Sequence, residues 1–202
     1  MQMDSAPVGV ILAGGLSRRM GGGDKALLPL GQGTLVSHVA ARLGPQVSAL
    51  ALNANGDATR FAALGLPVLA DSLPDHPGPL AGILAAMDWA AGQGAHMVVT
   101  APADTPFLPR DLVSQLERVA EASGAAIAAS GGRTHPVCGL WPVAARADLR
   151  AALAGGMRRL SDWTDRLGAG IAPFPDTPED PFFNVNTPED LARARARIGA
   201  EG

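Results

Sequence analysis

Val8-Gly9-Val10-Ile11-Leu12-Ala13-Gly14-Gly15 runs from a short apolar stretch, branched at alternate positions, directly into a glycine pair. This reads as a buried strand feeding a loop, and the pattern then repeats along the chain. A helix is expected from Thr34, with Leu35, Val39 and Leu43 on one stripe, followed by a strand over Val47–Leu52 with Asn53 at its carboxyl end. Asp57 caps a short helix reaching Leu64, and Val68-Leu69-Ala70 forms a strand ending on Asp71. Gly78-Pro79 opens the next helix, because proline suits a first turn, and Leu80, Ile83, Leu84, Met87 and Ala91 follow at helical spacing. Met97–Thr100 is a strand with Asp104 just beyond it. Pro109 opens a helix carrying Leu112, Leu116 and Val119 inward to a stop at Gly124, and Ala125–Ala129 is a strand. Such alternation implies an α/β fold, a mostly parallel sheet covered on both faces.

Beyond residue 130 the rhythm changes. His135–Trp141 and Phe182–Val185 read as strands, separated by helical stretches near 144–153 and 157–167, and one of the two strands is expected to run antiparallel. Thr187-Pro188-Glu189-Asp190 carries an N-cap, an N1 proline and an acid at N3, which starts a last helix through Ile198.

The chain has 202 residues, 47% of them hydrophobic, enough for one substantial core and one domain over residues 1–202. Charged residues, at 17%, fall below the roughly 25% usual for globular proteins, and 25 glycines point to small-residue packing. No run approaches the roughly 20 apolar residues that span a bilayer. Met1-Gln2-Met3-Asp4 lacks a basic, then apolar, leader, so a cytoplasmic protein with no membrane association is expected. One cysteine excludes an internal disulfide and a thiolate zinc site. A net charge of −3 argues against nucleic acid as a partner. Arg18, Arg19 and Lys25 nevertheless concentrate in one glycine-rich stretch, which suits a small anionic ligand.

In an open parallel sheet, ligands bind outside the carboxyl ends of the strands. Those ends bring Gly14-Gly15, Asn53, Asp71 and Asp104 toward one crevice. The segment Leu12–Lys25 combines backbone N–H groups freed by glycine with cationic side chains. It is neither a Walker A loop nor a GxGxxG fingerprint, and its composition also suits a solvated surface loop. Asp104, held between Pro102 and Pro106, can offer a carboxylate to a hard cation such as Mg2+, which takes one or two protein oxygens and leaves the rest to phosphate and water; a helix cap or turn is the other reading. Asn184 and Asn186 flank Val185, so a strand there would turn both amides to one face, while turn formation serves Asn186 equally. The four histidines, His135 among them, have no metal-ligand spacing. Cys138 sits among apolar neighbours as a buried inert thiol, and no Ser-His-Asp or Cys-His arrangement is legible.

Taken in order, Leu12–Lys25, Asn53-Ala54-Asn55, Asp71, Gly78-Pro79-Leu80-Ala81-Gly82, Asp104-Thr105-Pro106 and Asn184-Val185-Asn186-Thr187-Pro188-Glu189 resemble the molybdenum cofactor guanylyltransferases. The glycine-rich loop is shared by many nucleotidyltransferases, whereas the order and spacing of the whole set is much more specific. The resemblance implies a Rossmann-like three-layer α/β/α nucleotidyltransferase fold. Its nucleotide-binding part would cover about 7–130 and its acceptor-side part about 131–198. It implies transfer of GMP from GTP to the terminal phosphate of molybdopterin, with Mg2+ as cofactor. Leu12, Ala13, Gly14, Gly15, Gly22, Lys25, Asn53, Asp71 and Asp104 would bind GTP, with Asp104 also holding the metal. Arg19, Lys25, Asp104 and Asn186 would serve catalysis. Asn184 and Asn186 match the acceptor side of the cleft. Arg158 and Arg159 are added only as the nearest unassigned paired cations in sequence, and a solvated helix face explains them equally well. Beyond GTP and the pterin, other cofactor-biosynthesis proteins and apo-molybdoenzyme chaperones are candidate partners. Two alternatives stay open: a cytidylyltransferase acting on molybdopterin or on a sugar or polyol phosphate, and a non-catalytic nucleotide-binding protein. The second predicts loss of the metal carboxylate or loop lysine, yet Asp104 and Lys25 are both present.

Overall fold

All five residues of β1, Val8–Leu12, are buried, because both faces of this strand are covered and neither side needs polar residues. The computed structural model describes residues 6–14, 24–73 and 78–200. After β1 come a small antiparallel hairpin, β2 (Pro29–Leu30) and β3 (Gly33–Thr34), and the helix α1 (Leu35–Leu43). The chain continues through β4 (Leu50–Asn53), β5 (Val68–Leu69), α2 (Pro79–Gly92), β6 (Met97–Pro102), α3 (Leu112–Ser123), β7 (Ala126–Ser130) and β8 (Arg133–Pro142). It ends with α4 (Arg146–Ala154), α5 (Leu160–Leu167), β9 (Gly170–Phe174) and α6 (Pro188–Ala200). Seven strands form one sheet in the order β5-β4-β1-β6-β8-β7-β9. The first four in that order are mutually parallel, β8 runs antiparallel to both neighbours, and β9 pairs parallel with β7.

Alternate strand residues feed two cores. Ile11, Leu52, Val99, Ala126 and Leu140 meet α1 and α3 on one face. Val10, Ala51, Val98, Ile127 and Trp141 meet α2, α4 and α5 on the other. A third cluster joins the hairpin and α6 through Leu30, Leu35, Phe107, Val185 and Leu191. Helix starts follow the sequence: the Thr34 hydroxyl accepts from Ser37 N in a capping box, and the Asp57 carboxylate accepts from Thr59 N ahead of a 3-10 helix at Ala58–Leu64.

The sequence reading needs correction in the last third. Phe182–Val185 is not a strand. Asp180 accepts the N–H of Phe182 at 2.9 Å on its side chain and that of Phe183 at 3.3 Å on its backbone, turning the chain, and Val185 N donates to Asp104 O at 2.9 Å instead of joining a ladder. The strand at that edge is β9, which carries Pro173. Proline cannot donate to a ladder and is tolerated at an edge. The expected helices also begin late, at Leu112, Arg146 and Leu160.

In β8 the pairing with β7 jumps from Ile127↔Gly139 to Ala128↔His135. Pro136 cannot continue the ladder, so a bulge forms there, and the Thr100 hydroxyl donates to the freed Val137 carbonyl at 2.8 Å. That hydroxyl also accepts from the Trp141 indole N–H at 2.8 Å. The indole lies over Gly139, where an added Cβ would come within 2.4 Å of the ring. Gly139→Ala is therefore expected to overpack the sheet, at a cost of about 1–3 kcal/mol. That corresponds to a melting temperature roughly 3–10 °C lower, measurable by thermal unfolding; an unchanged value would contradict this packing.

Candidate active site

The carboxyl ends of the parallel strands stop at one level. Leu12 pairs with Asn53 on one side and Pro102 on the other, and Asn53 pairs with Leu69. From β1 the chain crosses to β4 on one flank and returns to β6 on the other. The chain thus leaves β1 and β6 toward opposite flanks, a switch point whose strand-end crevice is the usual ligand position in such sheets. Leu12, Ala13 and Gly14 line its start, with Gly14 exposed. Gly15, Arg19 and Gly22 lie outside the described residues.

On one side of the crevice, Asn53 is buried and its amide donates to Leu69 O at 3.1 Å and to Asp71 Oδ1 at 3.0 Å. Asn55 holds the same carboxylate, donating to Asp71 Oδ2 at 2.7 Å while its own Oδ1 accepts from Asp71 N at 2.9 Å. Gly82 of α2 faces Asn53, and a Cβ there would sit 2.6 Å from Asn53 Oδ1. The Gly78–Gly82 segment thus lets a helix N-terminus approach the strand end closely.

On the other side, the Lys25 ammonium donates to Asp104 Oδ2 at 2.5 Å and to Asn186 Oδ1 at 2.6 Å. Residues 79 and 161 positions apart in sequence are joined at one nitrogen. The side chains of Lys25 and Asp104 are 15% and 21% exposed, so the pair lies in the wall of the crevice. Asp104 Oδ1 is buried and has no hydrogen-bond partner among the described residues. A lone buried carboxylate oxygen is costly, and here it is an unused hard oxygen ligand. Among the described residues no group of three or more His, Cys, Asp or Glu could hold a metal by itself. The unpartnered Asp104 Oδ1 by itself suits a cation that takes one protein carboxylate and shares the rest with phosphate and water.

Asn186 is held by the start of α6. Asp190 Oδ2 accepts from Asn186 N and Thr187 N at 3.0 Å each, while Asp190 N donates to the Thr187 hydroxyl at 3.1 Å, the capping box expected from the sequence. Partial burial opposes ionisation of Asp190, but these donors and Arg193 outweigh it and hold the carboxyl below its ordinary value.

Asn184 and Asn186 do not share a strand face. Asn186 reaches Lys25, whereas Asn184 is exposed and makes no hydrogen bond among the described residues. Arg158 turns back on the end of α4, donating to Leu153 O at 3.0 Å and Met157 O at 2.8 Å, and Arg159 is exposed at the start of α5. The structure does not join either arginine to the Lys25–Asp104–Asn186 cluster.

Sequence reasoning missed two features. The Arg60 guanidinium binds Asp24 Oδ2 at 2.7 Å, and nothing in its local pattern marks it. Ser130, His135 and Asp180 also form a chain: the Ser130 hydroxyl meets His135 Nε2 at 2.7 Å and donates to Asp180 Oδ1 at 2.8 Å. Because serine bridges the other two, this is no nucleophilic triad. The His135 ring stacks on Phe182 at 4.6 Å. Burial pushes its pKa below the ordinary 6.5, with Asp180 opposing and Arg133 assisting. The Cys138 thiol is buried, and burial pushes its pKa far up, leaving it inert.

A folded-state pKa below the unfolded one, as at His135, means that the unfolded chain binds the proton more tightly, so stability declines as pH falls below about 6.5. The decline ends once pH is below the folded-state value. His135→Gln is expected to lose this component, so that the wild-type advantage in melting temperature shrinks between pH 7.5 and 5. A difference that stays constant over that range would show that His135 does not titrate as described.

Residues 9–167 match the sequence profile of the MobA-like NTP transferase domain. The chain belongs to this family. It is a nucleotidyltransferase, and the strand-end crevice is its candidate active site. The molybdenum cofactor guanylyltransferase of Cereibacter sphaeroides (strain ATCC 17029 / ATH 2.4.9) is 57% identical over 190 residues, covering 94% of this chain and 96% of its own. The protein of the same name from Bradyrhizobium sp. (strain ORS 278) is 52% identical over 202 residues, covering 98% and 95%. Among solved structures, molybdopterin-guanine dinucleotide biosynthesis protein A from Archaeoglobus fulgidus superposes with a TM-score of 0.71 at 24% identity, covering 96% of this chain and 99% of that one. The 2-C-methyl-D-erythritol 4-phosphate cytidylyltransferase of Thermus thermophilus gives 0.65 at 20% identity, covering 94% and 98%. Enzymes named for different nucleotides thus share this MobA-like transferase's fold, and the fold alone does not select the base. Among the described residues no helix is long and apolar enough to cross a membrane.

Proposed function

We propose that the chain transfers GMP from GTP to the terminal phosphate of molybdopterin, forming molybdopterin guanine dinucleotide and releasing pyrophosphate. The observation that carries this reading is identity of 51–57% with molybdenum cofactor guanylyltransferases over more than nine-tenths of both chains. In the transfer an acceptor phosphate oxygen bonds to the α-phosphorus of GTP and the bond to the β-phosphate breaks. The attacking oxygen is already anionic, so no strong general base is needed. What is needed is alignment of two anions and compensation of their charge.

The site chemistry supports that role. An ammonium has three donors; Asp104 and Asn186 engage two of those on Lys25, and the third, without a partner among the described residues, can serve a phosphate oxygen. Leu12, Ala13, Gly14, Asn53, Asp71 and Asp104 contact GTP in this reading, with Leu12–Gly15 and Gly78–Gly82 as the base-binding segments and the Asn53–Asp71–Asn55 network packed beside the second of them. Mg2+ would be held through the unpartnered Asp104 Oδ1. When bound, the cation supplies charge neutralisation for the triphosphate and the leaving pyrophosphate. Asn186 and Asn184 serve the acceptor side, and Arg19 and Gly22 the phosphate loop.

The test is to incubate the protein with molybdopterin, Mg2+ and each labelled nucleoside triphosphate in turn and to identify the dinucleotide. GTP is expected to be the productive substrate, because a site that hydrogen-bonds its base rejects analogues lacking the matching groups. Comparable yield with CTP would replace this reading with a cytidylyltransferase.

A further inference from the structure

Arg60 touches none of the proposed GTP contacts directly, yet each of its three guanidinium nitrogens donates a hydrogen bond. It leaves the 3-10 helix that follows β4, and its Nε donates to Asp24 Oδ2 at 2.7 Å. Its Nη1 donates to Asp57 O and its Nη2 to Asn55 O, both at 2.7 Å. The guanidinium lies 4.7 Å over the ring of Phe61, which is itself buried. Gly56 allows this approach: its φ is +84°, and a Cβ there would come within 3.2 Å of Arg60 Nη1.

The partners at the two ends of this clamp belong to opposite sides of the crevice. Asp24 precedes Lys25, and its other oxygen, Oδ1, accepts from Ala26 N at 3.1 Å, fixing the turn that aims the lysine at Asp104. Asn55, whose carbonyl Arg60 grips, holds both the carboxylate and the backbone N–H of Asp71 with its side chain. A continuous path of short polar contacts therefore runs Asp71–Asn55–Arg60–Asp24 and ends on the residue that precedes Lys25 in the chain. A planar guanidinium spans three acceptors in fixed geometry, which an ammonium cannot do.

We infer that Arg60 is a positioning residue that bolts the exit of the glycine-rich loop to the loop after β4, so that base recognition and triphosphate handling are held as one unit. This rests on the assignment of Asp71 to the base side and Lys25 to the phosphates. Arg60 itself touches no substrate. Its loss leaves the side chains of both sub-sites present but frees the two loops to move independently, which weakens nucleotide binding and blurs base selection.

The experiment measures equilibrium binding of Mg2+-GTP and Mg2+-ATP without acceptor, and steady-state transfer at saturating molybdopterin. Wild type, Arg60→Ala, Arg60→Lys, Asp24→Asn and the double variant Asp24→Asn with Arg60→Ala are compared. Residues that orient ligating groups typically alter affinity about 10–100-fold. Arg60→Ala is expected to weaken GTP binding and raise its KM within that range, to leave kcat within about threefold, and to narrow the preference for GTP over ATP. Arg60→Lys restores the Asp24 pair and recovers part of the loss. Groups acting through one contact are not additive, so the double variant should be no weaker than the weaker single one. A fall in kcat at unchanged KM and affinity means a merely structural role and overturns the inference, as do effects of the two single variants that multiply. Binding is read without acceptor, so failure of the wild type to form the guanine dinucleotide counts against the proposed function alone. Equal GTP affinity for wild type and Arg60→Ala counts against the clamp alone.

Discussion

Replacing Asp104 by alanine is expected to lower kcat by about 10³-fold, the loss of several kcal/mol of charge stabilisation at the reacting phosphates, while the fold survives. The two halves of this expectation come from the two oxygens of one carboxylate. Oδ2 is bound by Lys25, whereas Oδ1 is buried without a partner. In the ligand-free protein, Oδ1 is a liability of about 1–3 kcal/mol. Removing it offsets what is lost with the Lys25 pair, and Lys25 keeps Asn186 as an acceptor. The melting temperature should therefore move by only a few degrees, in either direction, as is common where a site gives up stability for function. Asp104→Asn separates charge from shape: its amide oxygen can still accept from Lys25, so activity lost there reflects loss of the anion. Near-normal turnover in both variants with the same Mg2+ requirement would remove Asp104 from the proposed metal site.

Much of this arrangement was legible in the sequence, for a physical reason. A strand buried on both faces leaves a continuous apolar run, so Val8–Leu12, Met97–Thr100 and Ala125–Ala129 announce themselves. The polar residues at or just beyond the carboxyl ends of β4, β5 and β6, namely Asn53, Asp71 and Asp104, mark the crevice in the same local way. Caps are equally local, and Thr34, Asp57 and Thr187 behave as read. What could not be read depends on partners distant in sequence. Phe182–Val185 has strand-like composition, but Asp180 and Asp104 take its N–H groups, and β9 was hidden by Pro173, which only an edge position tolerates. Arg60 carries no local signal, because its role lies in Asp24, 36 residues away. Charge and proximity in sequence are all that mark Arg158 and Arg159, and the hydrogen bonds of Arg158 to the end of α4 depend on backbone geometry that such a pattern does not carry.

Lys25→Ala should produce the second-largest loss, about 10²-fold in kcat/KM for GTP, the scale for removing one preorganised donor from developing charge. The loss has two sources. The triphosphate loses a cation, and Asp104 is left as an uncompensated anion in the wall that the triphosphate approaches. At an effective dielectric constant near 20, two unit charges 4 Å apart interact by about 4 kcal/mol. The Lys25 and Asp104 side chains are only 15% and 21% exposed, so Lys25→Ala also leaves a largely buried carboxylate without its cation, and a lower melting temperature is expected alongside the kinetic loss. The variants should also diverge in their response to Mg2+. In the wild type the ammonium occupies Asp104 Oδ2, so in the proposed function it would compete with Mg2+ for the carboxylate. Lys25→Ala removes the competitor, so half-maximal activity should come at lower Mg2+ even as the maximum falls. Asp104→Ala removes the ligand, so any residual activity should need more. Titrating Mg2+ at fixed GTP against both variants measures the two shifts. If both moved in the same direction, Lys25 and Mg2+ would not share the Asp104 carboxylate, and if Lys25→Ala kept wild-type KM and kcat, the lysine would have no part in handling the triphosphate.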